Sequence, residues 1–261
     1  ILLPHYPVSM ATFNVADYGL SPDYPPDKES FWHYPPEEDG WCHVHRALKG
    51  EIRMFADAFD AIKSRNNKGG LLEWEVTSIK TAFAGHFEHV HWHHHDEDES
   101  FVPFIKTRVK YPEKLESDHP TIEAQCDKIK SMIESLKVGD TVDDITPEWK
   151  KYGDLICPHM DEEEATALLL LRAYFKPEDL KPVIEYIMAN GPKIEMGSCI
   201  YFMGVDKFYN EFMKQEGIPF FVWYIDFQFR LREFEKRVAK HIDALKSGEQ
   251  PLEAGTRCII L

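Results

Sequence analysis

The feature that most constrains this chain is a stretch rich in histidine and acidic residues, 86–103, which contains six histidines and five acidic residues. His93 and Glu97 are four residues apart, so on a helix both side chains project from the same face. A buried carboxylate needs a cation or several hydrogen bonds to offset its desolvation. The stretch therefore predicts a metal site, provided that this face is buried. The residues sharing the face recur at the three- and four-residue steps of a core-facing helix: Leu72, Val76, Ile79, Phe83, His86, Val90, His93, Glu97, Phe101 and Phe104.

Helical phase also sorts the other polar residues of this helix, which is predicted over residues 71–110 with Pro103 near its end. Those on the side opposite Glu97 are predicted to be exposed: His91, His95 and Asp98. His89 and His94 flank the buried face and are predicted to support ligands rather than to bind metal. His86 shares the buried face, and two interpretations stay open, with a structural or supporting role favoured over ligation.

The preceding helix is predicted from Trp41 to the break at residues 66–70. Its apolar phase directs His45 toward the core and turns His43 about 200° away. Alone, His45 would more often be a satisfied core histidine than a ligand. The pattern of the other helices favours ligation.

Two later helices add similar residues. One is predicted to open at residues 117–120, with His119 at the start of its core face, where a helix cap is the alternative role. Glu123, one turn later, is predicted to be a boundary carboxylate, with ligation as the alternative. The next helix, predicted over 146–174, has His159 and Glu163 on one face, whereas Asp161 and Glu164 are predicted to be solvated.

Four helices thus direct four histidines and two glutamates inward. Such a set can hold two first-row metals inside a bundle, each with two imidazoles and with both carboxylates bridging. Two iron ions are the first choice, and zinc or manganese the second. The predicted ligands are His45, His93, Glu97, His119, His159 and Glu163.

Composition excludes several classes of partner. A net charge of −15 argues against nucleic acid and anionic membrane surfaces, which select basic faces. The longest apolar runs, 165–171 and 218–225, are far shorter than the roughly 18 residues of a membrane span. Five cysteines without CxxC spacing favour a reducing compartment, so an intracellular, cytoplasmic location is expected.

We predict four segments. Residues 1–38 form an arm rich in proline and tyrosine, 39–176 a helical bundle, 177–247 a helical extension and 248–261 a tail. The apolar run 218–229 is predicted to be buried core, with a surface for a protein partner as the alternative. The last residues, Cys258-Ile-Ile-Leu261, fit a C-a-a-X prenylation signal, and a single lipid would give only reversible, peripheral membrane anchoring; an unmodified tail is the alternative.

Residues 40–176 resemble the hemerythrin-like proteins, or HHE cation-binding domains. The resemblance rests on His93-His94-x-x-Glu97-Asp98 before Phe-Val-Pro103, on His159-Met-x-x-Glu163-Glu164, and on His45 and His119. It implies an all-α fold, an up-down four-helix bundle, with a non-haem di-iron centre that meets O2 at an open position.

One departure from the family matters for function. Oxygen-carrying hemerythrins have two histidines one turn apart on the third helix, whereas this chain has Glu123 at the later position. One imidazole fewer would disfavour reversible O2 carriage. The first hypothesis is a di-iron protein that binds or senses O2 or a related small molecule. The alternatives are a di-iron oxidase or peroxide- or NO-consuming enzyme, and an iron-sensing module whose C-terminal helices contact a partner.

Overall fold

The computed structural model describes residues 13–27, 29–65 and 69–251. Within these residues every regular element is helical, and the only β pairing is an isolated bridge between Gly19 and Val109. The predicted all-α class is confirmed.

Four long helices form the bundle: α1 (Gly40–Ser64), α2 (Glu73–Asp96), α3 (Glu113–Ser135) and α4 (Ile145–Ala165). Helix α1 contacts α2 and α4, and α3 contacts the same two helices, so the four enclose one core. Phe55, Phe59, Ile79, Ile129 and Trp149 fill it. The alternating direction of the four helices stays a prediction.

The end of α2 differs from its prediction. The helix continues through a π turn, Glu97–Phe101, and a last α turn, Val102–Ile105, so it ends before residue 110. A π turn contains one more residue than an α turn, and the following side chains change phase. Val102 and Ile105 are consequently buried, in place of the predicted Phe101 and Phe104.

The third and fourth helices also depart from the predicted boundaries. Helix α3 begins at Glu113, after Pro112, so His119 lies in its second turn and is no helix cap. Helix α4 ends at Ala165 because the backbone of Thr166 leaves the helical region, with φ −131° and ψ −69°. A separate helix, α5 (Ala167–Tyr174), follows.

The C-terminal extension comprises α6 (Pro177–Asn190), α7 (Lys193–Met203), α8 (205–215) and α9 (223–247). Helices α7 and α9 pack on each other and on α1 and α2. Ile194, Phe234, Val238 and Leu245 belong to the same hydrophobic cluster as the bundle core. The extension therefore completes the bundle's core, and the predicted division into segments stays a prediction.

The burial predicted for the apolar run 218–229 is wrong for its outer face. Trp223 and Phe227 are buried, but five large side chains of this segment are exposed, because neighbouring helices cover only one side of it. These exposed residues are Phe220, Phe221, Tyr224, Ile225 and Phe229.

The described part of the N-terminal arm lies on α5 and the end of α2. The Tyr174 hydroxyl donates to the Val15 carbonyl at 2.9 Å, and the Trp32 indole N–H donates to the Phe175 carbonyl at 3.1 Å. Arg172 forms a 3.0 Å ion pair with Asp39. These contacts anchor the arm at the entrance to α1.

Among the described helices, none combines the length and the apolar composition needed to cross a membrane. The prenylation signal at Cys258 lies outside the described residues.

Candidate metal centre

The structure brings all six predicted ligands together in the bundle interior. Helix α1 contributes His45, α3 contributes His119, and α4 contributes His159 and Glu163. His93 is on α2, and Glu97 begins the π turn that continues this helix. Every one of these residues is at most 4% exposed.

The candidate ligand atoms form two groups, in each of which all atoms lie within 4.8 Å of one another. One group is His45, His93, Glu97 and Glu163. The other is His94, Glu97, His119 and His159. Glu97 belongs to both groups, so its carboxylate lies between two potential metal positions.

The two oxygens of Glu97 face different groups. Its Oε1 lies 3.3 Å from Nε2 of His93 and 3.7 Å from Nε2 of His45, whereas its Oε2 lies 3.6 Å from Nε2 of His119. A carboxylate placed in this way can contact two cations at once.

Glu163 has the same relation to the two groups. Its Oε2 is 3.5 Å from Nε2 of His45, and its Oε1 is 3.3 Å from Nε2 of His159 and 3.9 Å from Nε2 of His119. Both predicted bridging carboxylates therefore lie between the groups.

His94 is the ligand candidate that the sequence analysis missed. It is buried, and its ring stacks on that of His119 with centroids 4.5 Å apart and planes 13° apart. Phase alone placed His94 beside the core face, but α3 packs against that side of α2 and encloses it. The sequence did contain a signal for this further candidate ligand. Adjacent histidines, His93 and His94, on a helix that packs against neighbours on two sides can both be buried.

His94 adds a fifth candidate imidazole to the four that the sequence predicted. Glu123 is in neither group, and its side chain is 40% exposed, with Oε1 3.7 Å from Nδ1 of His94. The prediction that reversible O2 binding is disfavoured counted only the four imidazoles, and it stays a prediction.

The inward atoms of this centre fit a metal because they lack other partners. Among the described residues, six such buried atoms make no hydrogen bond: Nε2 of His45, His93 and His94, Oε2 of Glu97, and both carboxylate oxygens of Glu163. Each unsatisfied buried polar group costs about 1–3 kcal/mol. Imidazole and carboxylate donors facing one space are suited to first-row cations, which would satisfy them together.

Polar residues behind the histidines fix the orientation of their rings. Nδ1 of His45 lies 3.0 Å from Glu164 Oε1, and Nδ1 of His119 lies 2.9 Å from Asp98 Oδ1. Each contact turns Nε2 of the ring inward. Asp98 is exposed as predicted, whereas Glu164 is half-buried, so its predicted solvation was only partly right.

Mutual charge shifts the pKa values of these residues in opposite directions. Burial lowers the pKa of His45, but Glu164 and Glu97 outweigh it and raise the pKa to about 9. His119 also has its pKa raised to about 9, since Glu163 and Glu97 outweigh burial. Burial would raise the pKa of Glu163, yet His119 and His159 hold it well below its usual range. In the absence of a metal cation, protons on His45 and His119 thus balance the negative charge of the carboxylates.

His86 belongs to neither ligand group and contacts other buried residues of the core. Its Nδ1 lies 2.6 Å from Glu51 Oε2 and its Nε2 lies 3.1 Å from the Tyr152 hydroxyl. His89 Nδ1 lies 2.7 Å from Glu51 Oε1, and the Ser198 hydroxyl donates to the same oxygen at 2.5 Å. Glu51 is fully buried and was missed, although it lies three residues after Leu48 at the edge of the core face.

The remaining predicted orientations have mixed outcomes. His91, His95 and Asp161 are exposed, as predicted. His43, predicted to turn away from the core, is 5% exposed because the extension covers this side of α1. Its ring lies against Phe212, with centroids 5.3 Å apart, and it belongs to neither ligand group.

Comparison with known proteins supports the same interpretation of the bundle. The family model for the hemerythrin HHE cation binding domain matches residues 39–171, half of the chain. Comparison with curated proteins and with solved structures gave no match. The matched segment contains every residue of the two ligand groups. The chain therefore belongs to the hemerythrin HHE cation-binding family.

Proposed function

We propose that this protein is a non-haem di-iron protein whose centre binds O2 or a related small molecule. The observation that carries the proposal is the position of Glu97, whose carboxylate belongs to two four-residue groups of buried donors. Imidazole and carboxylate ligands suit iron, with zinc and manganese as the alternatives. Iron bound here would supply a redox centre able to react with O2.

The residues divide unequally between the two positions. His45 and His93 would hold one metal, whereas His94, His119 and His159 would hold the other, with Glu97 and Glu163 between them. Two imidazoles and two carboxylates make four donors at the first position, and three imidazoles with the same two carboxylates make five at the second. Since such ions take about six ligands in octahedral sites, the first position has more room for an external ligand.

The surrounding residues would hold these donors in place and exclude water. The Trp41 indole N–H donates to Glu97 Oε1 at 2.8 Å and limits rotation of that carboxylate. Tyr111 is a buried residue whose hydroxyl makes no hydrogen bond among the described residues. Its pKa is raised well above 10 by burial and by the charges of Glu163 and Glu97, so the hydroxyl stays protonated and able to donate.

Metal analysis and absorption spectroscopy test the proposal. Protein purified without added metal should contain two irons per chain, and exposure of the reduced form to O2 should produce a near-ultraviolet absorption band. Removal of O2 then separates reversible binding from oxidation, since only the former restores the reduced spectrum. One tightly bound zinc with no spectral response to O2 would contradict the proposal and indicate a structural site.

A further inference from the structure

A cavity of about 380 Å³ lies between the bundle and the C-terminal extension. Its walls come from α1 and α2 on one side and from α6 to α9 on the other. Most of the lining is apolar, including Ile184, Met188, Val222 and Phe227. Pockets of this size and composition are typical of sites for small organic molecules.

The cavity reaches one of the two proposed metal positions. His93 and Glu97 line it, whereas His94, His119 and His159 do not. Of the four candidate ligands at the first position, His93 and Glu97 border the cavity, and His93 belongs to that position alone. Trp41 forms part of the same wall, where its ring stacks on Phe101 with centroids 5.2 Å apart.

The polar part of the lining includes two carboxyl groups that can accept hydrogen bonds. Asp96 is 4% exposed, and its Oδ2 has no hydrogen-bond partner among the described residues. Glu195 also lines the cavity, and burial raises the pKa of its carboxyl to about 7. Asp96 lies on α2, in the wall formed by the bundle, and Glu195 lies on α7, in the wall formed by the extension.

The positive charge that Arg230 brings to the lining is already paired with the carboxylate of Asp226. Arg230 is the only lysine or arginine among the described lining residues. Its Nε donates to both carboxylate oxygens of Asp226, at 2.9 and 2.8 Å, and its NH2 group donates to the Met188 carbonyl at 3.1 Å. Burial lowers the pKa of His43 to about 4, so this lining residue is neutral at pH 7. Among the described lining side chains, an anionic ligand would find no unpaired cationic group.

We propose that this cavity binds an amphipathic organic molecule with an apolar body and a hydroxyl or amine end. The apolar body lies between α6, α7 and α9, and the donor end contacts Asp96 and Glu195. The molecule thereby lies beside His93 and Glu97, and its position next to a reactive iron centre rests on the proposed function. Binding itself requires only the cavity.

Binding of three eight-carbon probes tests the ligand class. Calorimetric titration of the full iron-loaded chain with octylamine, 1-octanol and octanoate should give one site per chain for the amine and the alcohol. In a parallel titration of the metal-free full chain, octanoate should bind at least about tenfold more weakly than 1-octanol, because its carboxylate meets two acidic groups and no unpaired cationic side chain. A change in tryptophan emission should accompany binding, since Trp32 and Trp41 line the cavity and would exchange water for an alkyl chain. Equal binding of octanoate would overturn the assignment of a donor end, and absence of binding by all three would overturn the site.

A pair of neighbouring substitutions locates the site. Val222→Trp fills the cavity and should abolish 1-octanol binding, whereas Phe221→Trp changes an exposed residue of the same segment and should leave binding unchanged. Ile184→Trp, on α6, provides a second blocking variant if the first does not fold. Unchanged binding in a folded blocking variant would overturn the cavity assignment.

Iron content measured on the same samples separates this proposal from the proposed function. The blocking variants should keep the wild-type iron content while they lose the probe. Wild-type protein that binds 1-octanol but contains no iron would contradict the di-iron proposal and leave the cavity assignment intact.

Discussion

At the scale of single residues, one position along a helix separates a candidate metal ligand from a surface side chain. His93, His94 and His95 are consecutive, yet the first belongs to one ligand group, the second to the other, and the third is exposed. The 100° step between residues explains this because α2 has α1 on one side and α3 on another. Two adjacent histidines therefore lie in two different candidate ligand groups.

Substitution of these histidines should separate ligands from surface residues. His93→Ala, His94→Ala and Glu97→Ala should each lower the metal content, and Glu97→Ala most, because its carboxylate lies between both positions. His91→Ala and His95→Ala are the matched controls and should keep the full content. Elemental analysis of each purified variant measures the outcome, and equal content in all five would mean that the wrong face of α2 was assigned.

At the scale of elements, a buried ionic cluster joins the extension to the bundle. Glu51 on α1 contacts His86 and His89 on α2 and accepts a hydrogen bond from Ser198 on α7. Burial would raise the pKa of Glu51, but His89 and His86 outweigh it and lower the pKa to about 2. Burial likewise lowers the pKa of His89, and Glu51 outweighs it and raises the value above 6.5. Both shifts favour the charged forms of Glu51 and His89 in the folded protein.

Glu51→Gln should destabilise the protein by about 3 kcal/mol at pH 6, since removing one partner of a buried pair leaves the other charge unpaired. The folded pKa of Glu51 is below its usual 4.5, so its stabilisation is present above pH 4.5 and is lost as the pH falls through about 2. The difference between wild type and variant should therefore shrink below pH 4.5. It should also shrink as the pH rises through the elevated pKa of His89.

Urea denaturation of chelated protein at several pH values measures this difference without a contribution from metal release. Glu134→Gln, which changes an exposed carboxylate on α3, is the control and should alter stability by less than about 0.5 kcal/mol. A constant difference between wild type and Glu51→Gln from pH 7 to pH 3 would contradict the charged pair.

At the scale of the whole molecule, the extension packs against the bundle and shares its hydrophobic core. Gly85 on α2 leaves the space that Val238 and Ile194 of the extension occupy, and a Cβ there would lie 2.6 and 2.7 Å from their side chains. Such distances are too short for two carbon atoms. The absence of a side chain at this position lets α7 and α9 approach the bundle and close the cavity beside His93.

Gly85→Leu should destabilise the protein by about 1–3 kcal/mol, the cost of overpacking a filled core. The substitution improves helix propensity by about 1 kcal/mol, so any loss of stability comes from the contact with the extension. Ala84→Leu, at the exposed neighbouring position, is the control and should change stability by less than about 0.5 kcal/mol. Urea denaturation compares the two, and equal stability of both variants would mean that the extension does not pack on Gly85.

The helical period alone predicted which side chains of the bundle helices point toward the candidate metal centre. The four-residue spacing of His93 with Glu97 and of His159 with Glu163 placed each pair on one face, and apolar neighbours identified that face as buried. His45 and His119 followed from the same reasoning. These residues could be predicted because the angle between side chains on one helix depends only on their separation along the chain.

Tertiary structure decided how wide each buried face is. His94 and Glu51 became buried where a neighbouring helix covers an additional side of α2 or α1, and His43 where the extension does so. Phe220 and Ile225 stayed exposed because no described element covers them. The π turn at Glu97–Phe101 shifted the later core positions by one residue. Sequence determines the direction of a side chain around its own helix axis, whereas burial also depends on what packs there, and those contacts join residues distant in the chain.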